Sequence, residues 1–351
     1  MPAGMIRFLF LLIALAIAIS LAVLHSFNHF KAYEPVFSST CTPVTGIIGP
    51  EDLQIDRTKR RVFISSYDRR KGGADRGAIH VVELDDLLAS DGWRDRTGGF
   101  PEEFRPMGLS FYDDGEYKRL FVVNAANNSV ELFDIETNGD LRHLETFSDA
   151  RLNSLNDVTA AGPRSFYVTN DLAAGRSGLL GALQYIGRAA TGSVFYFNGV
   201  AWRRAASDLR YANGVLLSPD GETLYVAETS GMALKSYRRD QTTGILSLED
   251  TVSLPGGVDN LNFSPSGHLL IAANPKPLSI SRHIRSNNAI SPSQILEYDA
   301  RANSLKINGT KPIFESSGEE LSAATVADKI GTKIVVGALA DDKFLICDAA
   351  R

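Results

Sequence analysis

Oxygen-bearing side chains recur at four points of the 351-residue sequence, each time just before an apolar run typical of a β-strand. An isolated Asn or Asp usually serves turn chemistry. Four sets at matched positions of a repeat instead predict one shared site that is rich in oxygen atoms. The sets are Glu51-Asp52, Asn156-Asp157, Asn213-Gly214 and Asp259-Asn260.

Carboxylate and amide oxygens are the ligands that Ca²⁺ prefers, and it takes about six to eight of them. The sets contain no Cys or His, so zinc fits poorly. Successive side chains of a strand alternate in direction, so we expect Asp52 and Asp157 to face away from the others and to be able to hold a second ion. The predicted ligands of the first ion are Glu51, Asn156, Asn213, Asp259 and Asn260.

The elements that must position these side chains form a repeat. Six units of about fifty residues, each with short β-rich runs and tight turns, are typical of propeller blades. The sequence therefore predicts an all-β, six-bladed β-propeller with four-stranded blades over residues 41–351. A β-sandwich is the alternative, but it would not repeat so regularly. Because the innermost strand of each blade lines the central channel, the oxygen-bearing sets should converge at one mouth. The units begin near Glu51, Arg105, Asn156, Asn213, Asp259 and Ser322.

Residues 1–25 differ from the rest of the chain. Residues 8–24 are apolar apart from Ser20, and Arg7 precedes them, as in a signal peptide or an N-terminal membrane anchor. No small-x-small cleavage motif follows, which favours an anchor. We expect a hydrophobic helix outside the fold, a connector over 26–40, and an exported protein that is either membrane-anchored or secreted.

Two cysteines flank the repeats. In an exported chain, Cys41 and Cys347 are expected to form a disulfide, with two free thiols as the alternative.

The net charge of −5 is mild and gives no reason to expect a basic surface that would bind nucleic acid.

Three long connections, 66–77, 171–192 and 275–292, should return to the mouth of the channel as substrate walls. Residues 172–190 contain apolar side chains spaced for one helical face and could form a lid, although four glycines equally suit a mobile loop. His283 is expected to be a solvated loop residue rather than a base. The candidate substrate-wall residues are Met107, Asp171, Leu183 and His283.

Several short motifs of this sequence resemble those of the paraoxonase/arylesterase family of calcium-dependent lactonases. The likeness extends from Cys41 to Asp348, and each motif is specific only in combination with the others. The motifs are Glu51-Asp52-Leu53-Gln54-Ile55, Leu155-Asn156-Asp157, the stretch 166–171, Ala212-Asn213-Gly214, Ser218-Pro219-Asp220-Gly221 and Val258-Asp259-Asn260.

The resemblance implies a six-bladed propeller with two calcium ions in its channel. It assigns the five ligands above to a catalytic calcium, and it assigns Asp52, Asp157 and the backbone carbonyl of Leu109 to a structural calcium. It also implies a disulfide between Cys41 and Cys347, and a hydrophobic N-terminal segment that is often retained.

The sequence departs from the family at its proposed histidine dyad. Met107 and Ala125 stand where the two histidines belong, and neither can accept a proton. Ala273 replaces the free thiol expected in the family. A hydrolase built on this sequence must therefore work without the dyad.

We predict a calcium-dependent hydrolase of lactones or aryl esters, in which the ion polarises the carbonyl of a small-molecule substrate. Asp259 or Glu51 would act as nucleophile or as base toward water. One alternative is a non-catalytic binding or adhesion propeller that calcium merely stabilises. Another is a sugar-lactone hydrolase similar to gluconolactonases.

Overall fold

The computed structural model describes residues 3–36, 40–72, 75–88, 92–98, 100–299 and 310–348. In this part of the chain, 24 strands form six antiparallel sheets of four strands each. The first strands of neighbouring sheets contact one another in a closed ring, so they line a central channel. The predicted six-bladed β-propeller is confirmed.

Consecutive strands form blades 1 to 3. Blade 1 contains β2 (Pro50–Asp56), β3 (Arg61–Ser66), β4 (Ala78–Glu83) and β5 (Arg94–Asp95). Blade 2 contains β6 (Pro106–Asp113), β7 (Lys118–Asn124), β8 (Ser129–Ile135) and β9 (Leu141–Phe147). Blade 3 contains β10 (Leu155–Ala160), β11 (Phe166–Asn170), β12 (Gly192–Phe197) and β13 (Trp202–Leu209).

Blades 4 and 5 follow the same order, and blade 6 takes its outer strand from the start of the propeller. Blade 4 contains β14 (Ala212–Leu217), β15 (Thr223–Glu228), β16 (Ala233–Arg239) and β17 (Leu246–Ser253). Blade 5 contains β18 (Gly257–Phe263), β19 (Leu269–Asn274), β20 (Ser293–Tyr298) and β21 (Thr310–Ser316). Blade 6 contains β22 (Ala324–Ile330), β23 (Lys333–Ala338), β24 (Lys343–Asp348) and β1 (Cys41–Thr45).

Blade 6 closes the ring. Strand β1 pairs antiparallel with β24 over five residue pairs, and Cys41 lies directly opposite Cys347. The two cysteines form a disulfide, which confirms the predicted bond. Backbone pairing and a covalent bond thus hold the two ends of the propeller together.

The core lies between the blades, because strand side chains alternate and the apolar ones face the neighbouring sheet. Between blades 2 and 3, for example, Phe121, Phe166 and Phe195 are almost completely buried in one cluster. Burying each such ring stabilises the fold by roughly 1.5–3 kcal/mol. These packed interfaces hold the inner strands rigidly around the channel.

Each of the six inner strands breaks its pairing register with the second strand of its blade at the same place. The breaks fall between Pro50 and Leu53, Pro106 and Leu109, Leu155 and Val158, Ala212 and Val215, Val258 and Leu261, and Ala324 and Val326. A bulge of this kind leaves residues without a cross-strand partner and re-aims their side chains. All four oxygen-bearing sets lie inside these breaks, so the bulges set the directions of their side chains. Glu51 and Asn156 line the channel mouth while Asp52 and Asp157 do not, in agreement with the expectation that these aspartates face away.

Three α-helices accompany the sheets: α1 (Ala3–Ser26), α2 (Gly178–Ile186) and α3 (Pro277–Arg285). Helix α1 lies outside the propeller, as predicted. Its stretch Gly4–Ser26 has a mean hydropathy of 2.7 and no buried part, which is compatible with a signal segment or a membrane anchor. Helices α2 and α3 interrupt the second and third of the three long connections.

Residues after α1 dock onto the propeller. Phe27 is fully buried and stacks on Tyr185 of α2, with ring centroids 5.8 Å apart. The Asn28 side-chain amide donates to the backbone carbonyls of Pro255 and Pro275, at 2.9 and 3.2 Å. The end of α1 is therefore held beside α2.

Candidate metal centre and active-site cavity

A cavity of about 520 Å³ lies where the inner strands meet the three long connections. Glu51, Asn156, Asn213 and Asp259 line it, and each comes from a different blade. The fifth predicted ligand, Asn260, is buried and its Nδ2 donates to Glu51 Oε1 at 3.3 Å. The structure thus brings all five predicted ligands of the first ion together at one mouth of the channel.

The three asparagines hold their amide groups in fixed orientations. Asn213 Nδ2 donates to Thr229 Oγ1 at 2.9 Å, and Asn156 Nδ2 donates to Asp171 Oδ2 at 3.4 Å. Asn260 Nδ2 also donates to the Glu51 carbonyl at 3.2 Å. With each nitrogen facing a protein acceptor, the amide oxygens are left to face elsewhere.

Those oxygens are buried and have no hydrogen-bond partner. This holds for Oδ1 of Asn156, Asn213 and Asn260 and for Oε2 of Glu51. A buried acceptor without a partner costs about 1–3 kcal/mol, so four of them on residues around one channel mouth favour a common partner. A hard cation is a partner that all four can share, and the donor set fits Ca²⁺.

The acidic side chains around the site carry elevated pKa values. Burial, and then repulsion from Glu51, raises the pKa of Asp259 to about 8. Burial also raises the pKa of Glu51, against the opposing effect of Arg69. Carboxyl groups crowded in this way remain ionised at neutral pH when a cation lies among them.

Asp52 and Asp157 form a deeper pair in which every carboxylate oxygen has a backbone donor. Asp52 accepts from Leu53 N at 2.8 Å and from Leu109 N at 2.6 Å. Asp157 accepts from the N–H groups of Val158 and Val215, both at 2.7 Å. The two aspartates thus tie neighbouring inner strands together, and the group of Leu109 that contacts Asp52 is its amide.

Burial, and then mutual repulsion, raises the pKa of Asp52 well above its usual range. Burial raises the pKa of Asp157 as well. In the described part of the chain, no three His, Cys, Asp or Glu side chains cluster as a metal site. A metal ion here would therefore depend on amide oxygens as well as on carboxylates.

The cavity walls above the ligands are largely apolar. Inner-strand and first-connection residues contribute Met107 and Tyr67, while α2 contributes Tyr185 and Ile186 and α3 contributes Leu278. The three connections predicted as substrate walls therefore line the cavity. A site of this kind, with apolar walls and a few polar groups at its base, is typical of small-molecule binding.

The arginines that line the cavity include Arg69 and Arg176, which sequence reasoning did not assign to the site. Arg176 donates to Asp171 and to the Leu155 carbonyl, and its Nη1 lies 2.9 Å from Met107 Sδ. Arg69 lies beside Glu51, with 4.0 Å between Nη2 and Oε2. Both belong to the predicted wall connections, but their direction depends on tertiary contacts with other blades.

Met107 stands at the first position of the family's histidine dyad. The side chain beside it is Arg176, not a histidine. Ala125, the other dyad position, packs against the apolar cluster of blades 2 and 3. Tyr211 lines the cavity too, and its φ of 59° is rare for an aromatic residue. Two more cavity groups, a guanidinium and a phenol, thus surround the ligands.

Among the four substrate-wall candidates, only Met107 lines the cavity directly. Asp171 is fully buried and reaches the cavity through Arg176. Leu183 is 57% exposed on α2, whose Gly181, Ala182, Tyr185 and Ile186 line the cavity instead. The prediction for Leu183 is wrong because the helix turns its small and aromatic residues inward.

The expectation of a solvated His283 is also wrong. His283 lies on α3, is 2% exposed, and does not line the cavity. Its Nδ1 lies 2.7 Å from the Ala289 carbonyl and its Nε2 lies 2.9 Å from Asp341 Oδ1. It ties α3 to blade 6, a contact between segments that are distant in the sequence.

Fold and site together define a β-propeller with an oxygen-lined cavity at one mouth of its channel. The profile of the arylesterase family matches residues 76–349. Serum paraoxonase/arylesterase 1 of Rattus norvegicus is 28% identical over 341 residues, which cover 92% of each chain. The chain belongs to the arylesterase family. This confirms the resemblance drawn from the motifs and the prediction that the protein is an ester hydrolase.

Two solved structures share the fold. A gluconolactonase from Xanthomonas campestris has a TM-score of 0.57 at 15% identity, covering 89% of this chain and 90% of that one. Regucalcin, a calcium-binding protein from Agrobacterium tumefaciens, has a TM-score of 0.51 at 16% identity, with coverages of 90% and 97%. At these identities the likeness shows the propeller architecture alone.

Proposed function

We propose that the protein is a calcium-dependent hydrolase of lactones and aryl esters, with its active site in the 520 Å³ cavity. The observation that carries the calcium dependence is the set of four buried oxygens without partners, on Glu51, Asn156, Asn213 and Asn260. Serum paraoxonase/arylesterase 1 is named for aryl ester chemistry, and regucalcin is described as a calcium-binding protein. Both agree with the proposal.

A Ca²⁺ ion on Glu51, Asn156, Asn213, Asp259 and Asn260 supplies polarisation of the ester carbonyl and stabilisation of the oxyanion. The apolar walls hold the body of the substrate and exclude water. The family resemblance also implies a second ion, which Asp52, Asp157 and the Leu109 carbonyl would hold. The burial of both carboxyl groups agrees with this, although their oxygens already accept hydrogen bonds from backbone amides.

Asp259 is the residue we assign to the attack on the ester carbonyl, as nucleophile or as base toward water. It lies in the cavity, whereas Met107 and Ala125 cannot accept a proton and His283 faces blade 6. Glu51 accepts a hydrogen bond from Asn260, which suits a ligand better than a mobile base. We retain it as the alternative.

The test is hydrolysis of a panel of lactones and aryl esters before and after treatment with a calcium chelator. We expect turnover that disappears with the ion and returns when calcium is added back. Turnover that survives complete removal of calcium would contradict the metal-dependent mechanism. Absence of turnover for every substrate would favour the non-catalytic propeller, and turnover of sugar lactones alone would favour the gluconolactonase-like reading.

A matched pair of variants tests the role of Asp259. Asp259→Asn should lower kcat by about 10²- to 10⁴-fold, while His283→Gln should retain turnover because His283 lies outside the cavity. Calcium content is measured for both, so that a lost ligand is not mistaken for a lost reactive group. Full turnover by Asp259→Asn with calcium bound would exclude Asp259 from the attack.

We also propose that α1 is retained as a membrane anchor of an exported protein. Its length and hydropathy permit a span, and Phe27 and Asn28 fix its end against the propeller. Extraction of membranes with alkaline carbonate is the test. Protein that is released, or that lacks α1 by mass, would indicate a cleaved and secreted form.

A further inference from the structure

Arg69 lines the cavity and, among the residues that the structure describes, has no acidic partner within hydrogen-bond distance of its positive charge. Its side chain is only 7% exposed, and its Nη2 is buried without a hydrogen-bond partner. Its Nη1 donates to the Leu339 carbonyl at 2.9 Å, and the guanidinium lies 4.1 Å from the centroid of the Tyr67 ring. Two contacts thus hold the group in place, while Nη2 has no partner and the residue itself lines the cavity.

The nearest acid does not satisfy that nitrogen. Glu51 Oε2 lies 4.0 Å from Arg69 Nη2, which is beyond hydrogen-bond distance. The same carboxylate belongs to the proposed calcium ligands, and an oxygen that binds the ion is a weaker partner for a second cation. A buried guanidinium donor without a partner costs more than a neutral one.

The charges of the cavity leave Arg69 in excess once a divalent ion is bound. Glu51 and Asp259 balance the ion, and Asp171 balances Arg176 through a direct contact. No acid in the lining of the cavity remains for Arg69. A negative charge on the substrate would therefore complement the positive charge of Arg69.

The rest of the cavity defines the body of that substrate. Leu172, Ile186, Leu278 and Ile284 line the walls, so the group that carries the charge should itself be apolar. Arg285, an exposed arginine at the rim, adds positive charge at the entrance. An anion is therefore attracted to the cavity as well as held in it.

We propose that Arg69 binds a carboxylate carried by the substrate, and that the preferred substrates are esters or lactones with an apolar body and a free carboxylate. This inference rests on the proposed function for the hydrolysed bond and names the substrate class of the same site. A planar guanidinium matches a carboxylate well, and Nη2 is the donor of Arg69 that has no partner.

The test compares two aryl esters of the same shape, 4-acetoxybenzoate and 4-acetoxybenzamide. Each kcat/KM is divided by the rate of alkaline hydrolysis of that ester, which removes the difference in leaving-group reactivity. We expect the carboxylate to be preferred by about 10- to 100-fold, since hydrogen bonds to charged groups contribute about 1.5–3 kcal/mol.

Variants assign that preference to Arg69. Arg69→Gln should reduce the ratio of the two normalised kcat/KM values to about 1, and Arg69→Lys should keep part of it through its charge. Arg60→Gln is the control, because Arg60 lies on the same blade but is 58% exposed and paired with Asp85. No preference in the wild-type protein, or a preference that survives Arg69→Gln, would overturn the proposal.

Binding of benzoate, compared with benzamide, gives a readout that does not require turnover. Calorimetry on wild-type and Arg69→Gln protein of equal calcium content should show about a tenfold weaker Kd for benzoate in the variant. Equal benzoate affinity in the two proteins would contradict the role of Arg69. If neither ester is hydrolysed while benzoate binding depends on Arg69, the hydrolase proposal fails and the anion site stands.

Discussion

At the scale of single residues, the cavity shows why amides suit this channel. Five carboxylates at one mouth would repel one another strongly, and burial already raises the pKa of Asp259 to about 8. Asparagine supplies a hard oxygen without a charge, and its nitrogen anchors it to a neighbour such as Thr229. Each Asn therefore adds an oxygen and a hydrogen bond to the site but no repulsion.

Asp328 gives a pH-dependent prediction away from the cavity. Burial raises its pKa from 3.8 to about 6, although the positive charge of Arg57 acts against this. Because the folded pKa is above the unfolded one, the contribution of Asp328 to stability is full below about pH 4 and is lost as the pH rises through about 6. The loss amounts to about 3 kcal/mol.

The measurement is urea unfolding of the wild type and Asp328→Asn at several pH values. Asparagine does not titrate, so the unfolding free energy of the variant relative to wild type should rise by about 3 kcal/mol between about pH 4 and pH 7. Taking the difference cancels the other titrating groups. Two curves that stay parallel over this range would show that Asp328 is not perturbed.

At the scale of elements, the register breaks of the inner strands position the site. Asp157 of β10 fits against β6 only because residue 108 is glycine: a Cβ there would lie 2.2 Å from Asp157 Oδ1 and 2.5 Å from Asp157 Cα. At the matching position of blade 6, Thr325 is fully buried with an unpartnered hydroxyl. A bulge thus recurs in the inner strand of each of the six blades, where it turns side chains toward the channel.

Gly108→Ala should therefore destabilise the fold by about 1–3 kcal/mol, because the new methyl meets the backbone of β10, which cannot move aside. Urea unfolding measures the loss. Gly162→Ala is the matched control, since its Cβ meets only the Ser165 hydroxyl at less than 3 Å, and its effect should stay within about 1 kcal/mol. Equal stability of the two variants would argue against close packing of β6 on β10.

The repeat predicted much of this arrangement from sequence, because strand period and turn residues are local signals. It predicted that the oxygen-bearing sets meet at one mouth of the channel and that the two ends of the propeller lie side by side, and the structure has both. It did not predict the register breaks, since a bulge depends on the pairing partner. The inward face of α2 and the burial of His283 likewise depend on contacts with Tyr211 and Asp341, which are distant in sequence.

At the scale of the whole molecule, the disulfide joins residues 306 positions apart. A cross-link over so long a loop removes much entropy from the unfolded chain, and loss of a native disulfide typically costs about 2–5 kcal/mol. The double variant Cys41→Ser, Cys347→Ser should lose stability in that range yet keep its fold, because β1 still pairs with β24 over five residues.

Denaturant unfolding and circular dichroism check this expectation. Wild-type protein under reducing conditions is the control and should match the double variant. An unchanged unfolding midpoint in both would show that backbone pairing alone closes the ring.

The pairing of β1 with β24 also sets an order of events during synthesis. Strand β1 is made before the other 23 described strands, but its partner, Lys343–Asp348, is made after all of them. Until then blade 6 lacks an edge and the ring stays open. If α1 directs export as we propose, the chain therefore reaches a translocation channel before its ring can close, and it can pass through the channel without first having to unfold a closed propeller.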